Sequence, residues 1–403
     1  MAVTSVAGVI NEAPQPVDVR FARKLEEFRS ARSNHLGYPY NLDFAAGASG
    51  QFAGFLVNNL GDPYAGSHYA TETCDLEREV VDWFMRLWEC QDPDQYWGSV
   101  GASGTEGNIW GLYLAREALP DGIVLYSQDA HYSIPKGARI LRMDSRCVAS
   151  RPNGELDLAA FATTVESLKG RPIIATLNCG TTVKGAHDDI EAVIDVLRRS
   201  GYDRARRFVH VDGALNAMVL PFDAAAPSNI KPSFEIEVDS VSASGHKMVG
   251  TPMPCGVIVT LKRHVNRVSS AVSYLRTNDT TLMGSRNGHA VLALWERINR
   301  HGRAGFTKDV VECLARARRL HEALVAEGVW SLLNPHSITV VFPEPSHALV
   351  KKYQLACHQY LAHAVVMPNV TDRLLDNFLS DYIRWWRLSD VRSAEHIIQE
   401  ART

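Results

Sequence analysis

Several kinds of segment are missing from this 403-residue chain. No run of about 18 apolar residues occurs, which argues against a transmembrane helix. Residues 1–15 carry neither a basic stretch nor a long apolar one, so they do not read as a secretory signal. Neither sign of charge dominates: 42 Lys and Arg stand against 45 Asp and Glu, a net −3. That balance offers no basic field to attract nucleic acid or an anionic membrane. Cysteine is sparse, with single residues at 74, 90, 147, 179, 255, 313 and 357 and no CxxC pair. An odd, dispersed set argues against a disulfide framework and a structural zinc site, and suits reduced thiols in a cytoplasm. No metal is expected. Internal repeats and low-complexity tracts are lacking as well. What remains is ordinary globular material, 46% hydrophobic, enough for a large domain with a sizeable core and one or two smaller units.

Taken in order, residues 1–15 are small and polar and read as a mobile arm. Phe21, Leu25 and Phe28 then recur near helical spacing over residues 17–32. Two turn-rich loops follow, Gly37-Tyr38-Pro39-Tyr40-Asn41 and residues 61–69. From Asp75, the residues Leu76, Val80, Trp83, Phe84, Leu87 and Trp88 make a broad apolar helical face. Short apolar runs at 96–100, 123–126, 173–178, 208–211, 236–241 and 255–260 then alternate with helical patterns, among them 109–117 and 190–199. Strands that are apolar throughout, separated by helices, imply a mostly parallel sheet covered on both faces. Ligands of such sheets bind beyond the carboxyl ends of the strands. The polar run 270–286 has few apolar anchors and reads as a mobile or intersubunit loop. Beyond it lie helices at 288–301 and 306–327, a strand at 337–342, and helices at 346–360 and 371–387, an α+β pattern.

The chain is organised around Ser242-Ala243-Ser244-Gly245-His246-Lys247-Met248-Val249-Gly250. A lysine on a tight connection between two strands can project into a cavity, where burial lowers its pKa and frees the amine to form an imine with a carbonyl cofactor. Upstream, Gly101-Ala102-Ser103-Gly104-Thr105-Glu106-Gly107-Asn108 feeds a helix. Backbone N–H groups and the positive helix end there suit a phosphate; the same residues also serve as an ordinary N-cap. His131, Thr182 and Asp212 each fall just past a strand end. Each has a job if the cofactor is pyridoxal phosphate. His131 can stack on the pyridine ring, and Asp212 can pair with its protonated nitrogen. Ala214 can lie beneath the ring, facing the same way as Asp212 along an extended chain. Lys247, 35 positions after Asp212, can hold the aldehyde carbon.

These stretches, together with Tyr126-Ser127-Gln128-Asp129-Ala130-His131-Tyr132-Ser133, Gly180-Thr181-Thr182-Val183-Lys184-Gly185-Ala186, His210-Val211-Asp212-Gly213-Ala214-Leu215 and Gly284-Ser285-Arg286-Asn287-Gly288-His289, carry a resemblance. The chain resembles the group II pyridoxal-phosphate decarboxylases of fold type I, nearest the histidine and serine decarboxylases, over residues 20–388. The resemblance implies an α/β, aspartate aminotransferase-like large domain with a mostly parallel seven-stranded sheet, plus an N-terminal segment and a small C-terminal α+β domain. The divisions expected are 1–60, 61–290 and 291–403. It implies Lys247 as the Schiff-base lysine, Asp212 as the ring-nitrogen partner and His131 as the stacking imidazole. Gly104, Thr105, Ser244 and His246 would bind the phosphate, and Thr182 the phenolic oxygen. Tyr274 would reach a neighbouring subunit's site and help protonate the product at Cα. Partners implied are an amino acid substrate and a second copy, in a homodimer or larger assembly with sites at the interface.

For the substrate, the resemblance implies an L-amino acid, with L-histidine to histamine placed first and L-serine to ethanolamine second. Aminotransferase chemistry is the rival on the same fold. Tyr40, Phe44, Ala46 and His68 are the candidate pocket residues. Relatives carry Asp-Tyr where this chain has Ala45-Ala46, and loss of that aromatic enlarges the pocket and disfavours serine.

Overall fold

Seven strands, buried along most of their length, form the centre of the molecule. In a computed structural model, which describes residues 17–44, 47–168 and 170–389, their order across the sheet is Tyr96–Gly101, Gly256–Leu261, Ser240–Ser244, Arg207–Asp212, Ile173–Asn178, Ile123–Ser127 and Ser145–Val148. Gly256–Leu261 alone runs against its neighbours; the other junctions are parallel. Every residue of Ile173–Asn178, Arg207–Asp212 and Gly256–Leu261 is buried, as a sheet covered on both faces requires. The helices Gly104–Ala118, Leu158–Ser167 and Ile190–Arg199 supply much of that cover. Ile190, Val193, Ile194 and Leu197 turn one face of the last onto the core.

A second sheet, antiparallel throughout, orders Leu332–Leu333, Thr339–Pro343, Leu361–Val365 and Ala356–His358. Helix Asp372–Leu388 packs on it through Phe378 and Tyr382, whose rings lie 5.4 and 5.2 Å from that of Phe342. The helix Gly288–Ala326 links the two sheets and breaks at Gly302, where φ is 62°. Gly185, at φ 63°, marks a close approach: a Cβ there would meet Ser337 Oγ at 2.2 Å. Asn334 Nδ2 donates to the Asn153 and Lys184 carbonyls, both at 2.8 Å, beside that approach.

Several elements differ from the reading of the sequence. The apolar run 236–241 is not one strand. Phe234–Ile236 is a single helical turn closed by Glu237 at φ 64°, and pairing starts only at Ser240. The strand therefore runs through Ser242 and Ser244, and Lys247 sits on the single wide turn Gly245–Val249. The helix expected at 109–117 begins at Gly104, because Ser103 Oγ accepts from Glu106 N. Within residues 270–286 short strands pair, Ser270–Val272 with Thr277–Asp279, and Ser285–Asn287 with Asn58–Leu60. The helix expected over 346–360 ends at Tyr353, since Gln354 takes φ 51° and Ala356–His358 pairs as an edge strand. The 17–32 helix forms as expected, yet Phe21 and Phe28 stay 69% and 61% exposed, so its apolar residues find no cover within the single chain. The 1–15 arm lies outside the described residues.

Candidate active site

Strand register sets the floor of the site. Asn178 and Asp212 are Cα partners at the carboxyl ends of adjacent parallel strands, and Ser242 pairs with Asp212 from the middle of the next strand, Ser240–Ser244. A cavity of about 350 Å³ opens above them. Its lining includes Gly104, Thr105, His131, Thr182, Asp212 and Ala214, together with Ser244, His246, Lys247 and Tyr40. Residues from both sheets meet here, because Thr339 and Val365 of the smaller sheet close one wall.

Lys247 reaches the cavity from a turn fixed on both sides. Asn41 Nδ2 donates to the Met248 carbonyl at 3.0 Å, and Arg297 Nε to that of Val249 at 3.0 Å. Burial holds its amine below the usual lysine pKa, against the opposing pull of Asp212. Asp212 is buried, and its Oδ2 accepts from Asn108 Nδ2 at 2.7 Å while Oδ1 accepts from Ala214 N at 3.1 Å. Ala214 therefore lines the cavity from a turn, not from the extended chain expected. Burial lowers the pKa of His131, with Asp212 opposing; its Nδ1 lies 2.7 Å from Ser133 Oγ. Its ring packs 4.1 Å from that of Tyr132.

At the opposite end of the cavity the helix Gly104–Ala118 begins. Ser103 caps it, and Glu106 turns back to accept from Ala102 N at 2.5 Å. The amides of Gly104 and Thr105 precede the first intrahelical acceptors, and the helix dipole adds positive potential there. A Cβ on Gly104 would meet Ser244 Oγ at 2.5 Å and Ala214 Cβ at 3.2 Å, so only glycine lets this backbone close on the cavity. His246 is held by the Cys255 backbone, 3.0 Å from its carbonyl, and burial lowers its pKa. Thr181 is buried and its Oγ1 accepts from Ala186 N at 3.0 Å. Thr182 beside it is exposed and faces the cavity. An amine of lowered pKa, a buried carboxylate, an imidazole and an anion-binding helix end share one cavity. That donor set fits a phosphorylated pyridine aldehyde.

Three expected positions lie elsewhere. Phe44 lines a separate cavity of about 300 Å³, its ring 5.7 Å from the Arg32 guanidinium. His68 is exposed in the loop before helix Cys74–Leu87 and does not line the site. Tyr274, 83% exposed, follows Ser270–Val272 in the connection to its paired strand, away from its own chain's cavity. Ala46 falls outside the described residues. The sequence reading also passed over Asn178, Ser133 and the single role of Asn108. Their signal was weak, since small polar residues at strand and helix ends are common caps.

The family model for the pyridoxal-dependent decarboxylase conserved domain matches residues 111–343. Serine decarboxylase 1 of Oryza sativa subsp. japonica is 47% identical over 349 residues, covering 86% of this chain and 71% of the relative. Histidine decarboxylase of Pseudomonas entomophila (strain L48) is 38% identical over 350 residues, 87% of this chain and 86% of the relative. Among solved structures, L-methionine decarboxylase from Streptomyces sp. 590 superposes with a TM-score of 0.84 at 27% identity, over 94% of this chain and 97% of that one. With a matching domain model over more than half its length and such relatives, the chain belongs to the pyridoxal-dependent decarboxylase family.

Proposed function

We propose that this enzyme decarboxylates an L-amino acid whose side chain is uncharged. Its class is that of the family: a carboxy-lyase that uses pyridoxal 5'-phosphate, rather than an aminotransferase. The observation that carries the substrate class is the lining of the cavity. Apart from its histidines and tyrosines, Lys247 and Asp212 are the only acid and base lining it among the described residues; no Arg or Glu lines it. Both have roles toward the cofactor, so neither an acidic nor a basic side chain finds a counter-ion.

In this reading Lys247 would hold the cofactor's aldehyde carbon. Asp212 would accept from the protonated ring nitrogen, and His131 would stack on the ring. Gly104, Thr105, Ser244 and His246 would receive the phosphate, and Thr182 the phenolic oxygen. Ala214 would leave room beneath the ring. When bound, the cofactor supplies the electron sink for the bond that loses carbon dioxide. The chain's own residues orient that bond, keep the ring nitrogen charged, exclude water and return a proton to Cα. Tyr274 is the proton donor we assign, delivered to a partner subunit, and the chain acts as a cytoplasmic homodimer or larger assembly. Supporting this are its exposure outside its own cavity and the uncovered apolar residues of helix Val17–Arg32.

Within the uncharged class we place L-histidine first. The mouth is aromatic: Tyr38 and Tyr40 stack at 5.9 Å with 7° between their planes, and both line the cavity with His131 and Tyr132, a surface suited to a planar ring. The 47% identity to a serine decarboxylase favours L-serine as the second reading. Carbon dioxide release and amine formation with L-histidine, L-serine, L-methionine, L-glutamate and L-lysine test both levels. A preference for glutamate or lysine overturns the class. A preference for serine over histidine overturns only the order within it.

A further inference from the structure

We propose that Asn108 is the positioning residue that fixes the direction of every hydrogen bond between Asp212 and His131. Its side chain is 1% exposed, and its amide makes four bonds to three other segments. Nδ2 donates to Asp212 Oδ2 at 2.7 Å and to Ser133 Oγ at 2.9 Å. Oδ1 accepts from Ser242 Oγ at 2.7 Å and from His210 Nε2 at 3.0 Å. An amide offers two donors and one acceptor oxygen with two lone pairs, so all are used. Turning the amide over would set Oδ1 against the Asp212 carboxylate, two acceptors face to face; the charge on Asp212 thus selects the orientation.

Proton placement then follows from group to group. His210 must carry its proton on Nε2, which leaves Nδ1 to accept from Ser240 Oγ at 2.8 Å. Ser133 Oγ accepts from Asn108, so its own proton goes to His131 Nδ1 at 2.7 Å, where Ser133 N also donates at 3.2 Å. His131 is therefore neutral, with its proton on Nε2. Asp212 receives Asn108 and Ala214 as donors and keeps its remaining lone pairs for the cofactor. Asn108 touches neither reacting atom; it acts through Asp212 and Ser133.

This rests on the assignment of Asp212 as the ring-nitrogen partner, and the tests separate the two. The titratable groups around Asp212 are Lys247 on the turn after its neighbouring strand, His131, His210 on its own strand, and Cys179. In the wild-type enzyme, ¹⁵N NMR of the histidine rings at pH 7 is expected to give His131 and His210 as neutral Nε2–H tautomers. A proton on Nδ1 of either overturns the proposal, and this needs no variant to fold. Apoenzyme titration with pyridoxal 5'-phosphate then compares Asn108→Asp with Asn108→Ala. The aspartate has the shape of the native residue but places an acceptor against Asp212. It is expected to bind about 100-fold more weakly than wild type at pH 8, and Asn108→Ala about tenfold, the size of one or two charge-assisted hydrogen bonds. Two facing carboxylates take up a shared proton, which restores a donor, so the Asn108→Asp deficit shrinks toward pH 6 while that of Asn108→Ala stays flat. If Asn108→Ala is the worse binder at every pH, Asn108 merely fills space and the proposal fails. Asp212→Asn is the control: near-normal turnover there removes the Asp212 assignment and this inference together. A turnover loss of several orders there, without the inversion at Asn108, removes this inference alone.

Discussion

Removal of the Glu77 carboxylate is expected to destabilise the apoenzyme by about 3–5 kcal/mol, the usual consequence of breaking a buried ion pair from one side. Glu77 is fully buried in helix Cys74–Leu87. Its Oε1 accepts from Val100 N at 2.8 Å and from Arg286 Nη1, and its Oε2 accepts from Asn59 Nδ2 at 2.7 Å. Arg286 is only 5% exposed, and its Nη2 donates to the Gly61 carbonyl at 3.1 Å. One carboxylate thus ties the strand that leads into the phosphate loop to strands Asn58–Leu60 and Ser285–Asn287. In Glu77→Ala the guanidinium stays buried without its counter-ion, and the Val100 and Asn59 donors lose their acceptor, each worth about 1–3 kcal/mol when stranded. Part of that is relieved by local opening and water, so the total does not reach the sum. Arg286→Met should be destabilising for the mirror reason. The double variant Glu77→Ala with Arg286→Met buries no charge and should recover at least half of the loss, a coupling of about 2 kcal/mol or more. Urea unfolding of the apoenzyme, followed by tryptophan fluorescence and far-UV circular dichroism, measures the cycle. A Glu77→Ala loss under about 1 kcal/mol, or a double variant equal to the sum of the singles, refutes the reasoning.

Three further outcomes are expected. Lys247→Ala should lose the visible absorbance band of covalently held cofactor and all turnover; turnover at the wild-type rate without added amine rules the assignment out. Tyr274→Phe should keep substrate binding and carbon dioxide release but form amine about 10²–10⁴-fold more slowly. Mixing its subunits with Lys247→Ala subunits should restore activity if the tyrosine acts across an interface; activity that stays low places it within its own chain. Burial lowers the pKa of His187, His210 and His363 to about 4, while Asp188 is raised to about 6. The unfolded histidines bind protons that the folded ones refuse, so their stability contribution is full above pH 6.5 and is lost as pH falls toward 4; Asp188 opposes them below about pH 6. Three sites against one leave a net uptake of about two protons on unfolding near pH 5, or about 2.7 kcal/mol per pH unit. A flat unfolding free energy between pH 6.5 and 4.5 contradicts this.

Much of the molecule was decided by the sequence alone, where the controlling physics is local. The mostly apolar, β-branched run Ile173–Asn178 reads as a strand buried on both faces, and the apolar spacing of Ile190–Arg199 as a helix on a core. The order of phosphate loop, His131, Asp212 and Lys247, with the stretches around them, carried the resemblance to the family and to its cofactor. Tertiary structure decided what depends on groups distant along the chain. Register across parallel strands, invisible in any one of them, aligned Asn178, Asp212 and Ser242. Pairing with Gly256–Leu261 placed the lysine's strand four residues later than its apolar run suggested. Phe44, near Tyr40 in sequence, packs toward Arg32 and another cavity, since the irregular chain between them sends the two side chains to different walls. Arg286 looked like one more polar residue of a loop until the fold set it against Glu77, more than two hundred positions away. Asn108 read as one cap residue among many. Its function is set by which donors and acceptors surround it, and four segments must fold together before that is defined.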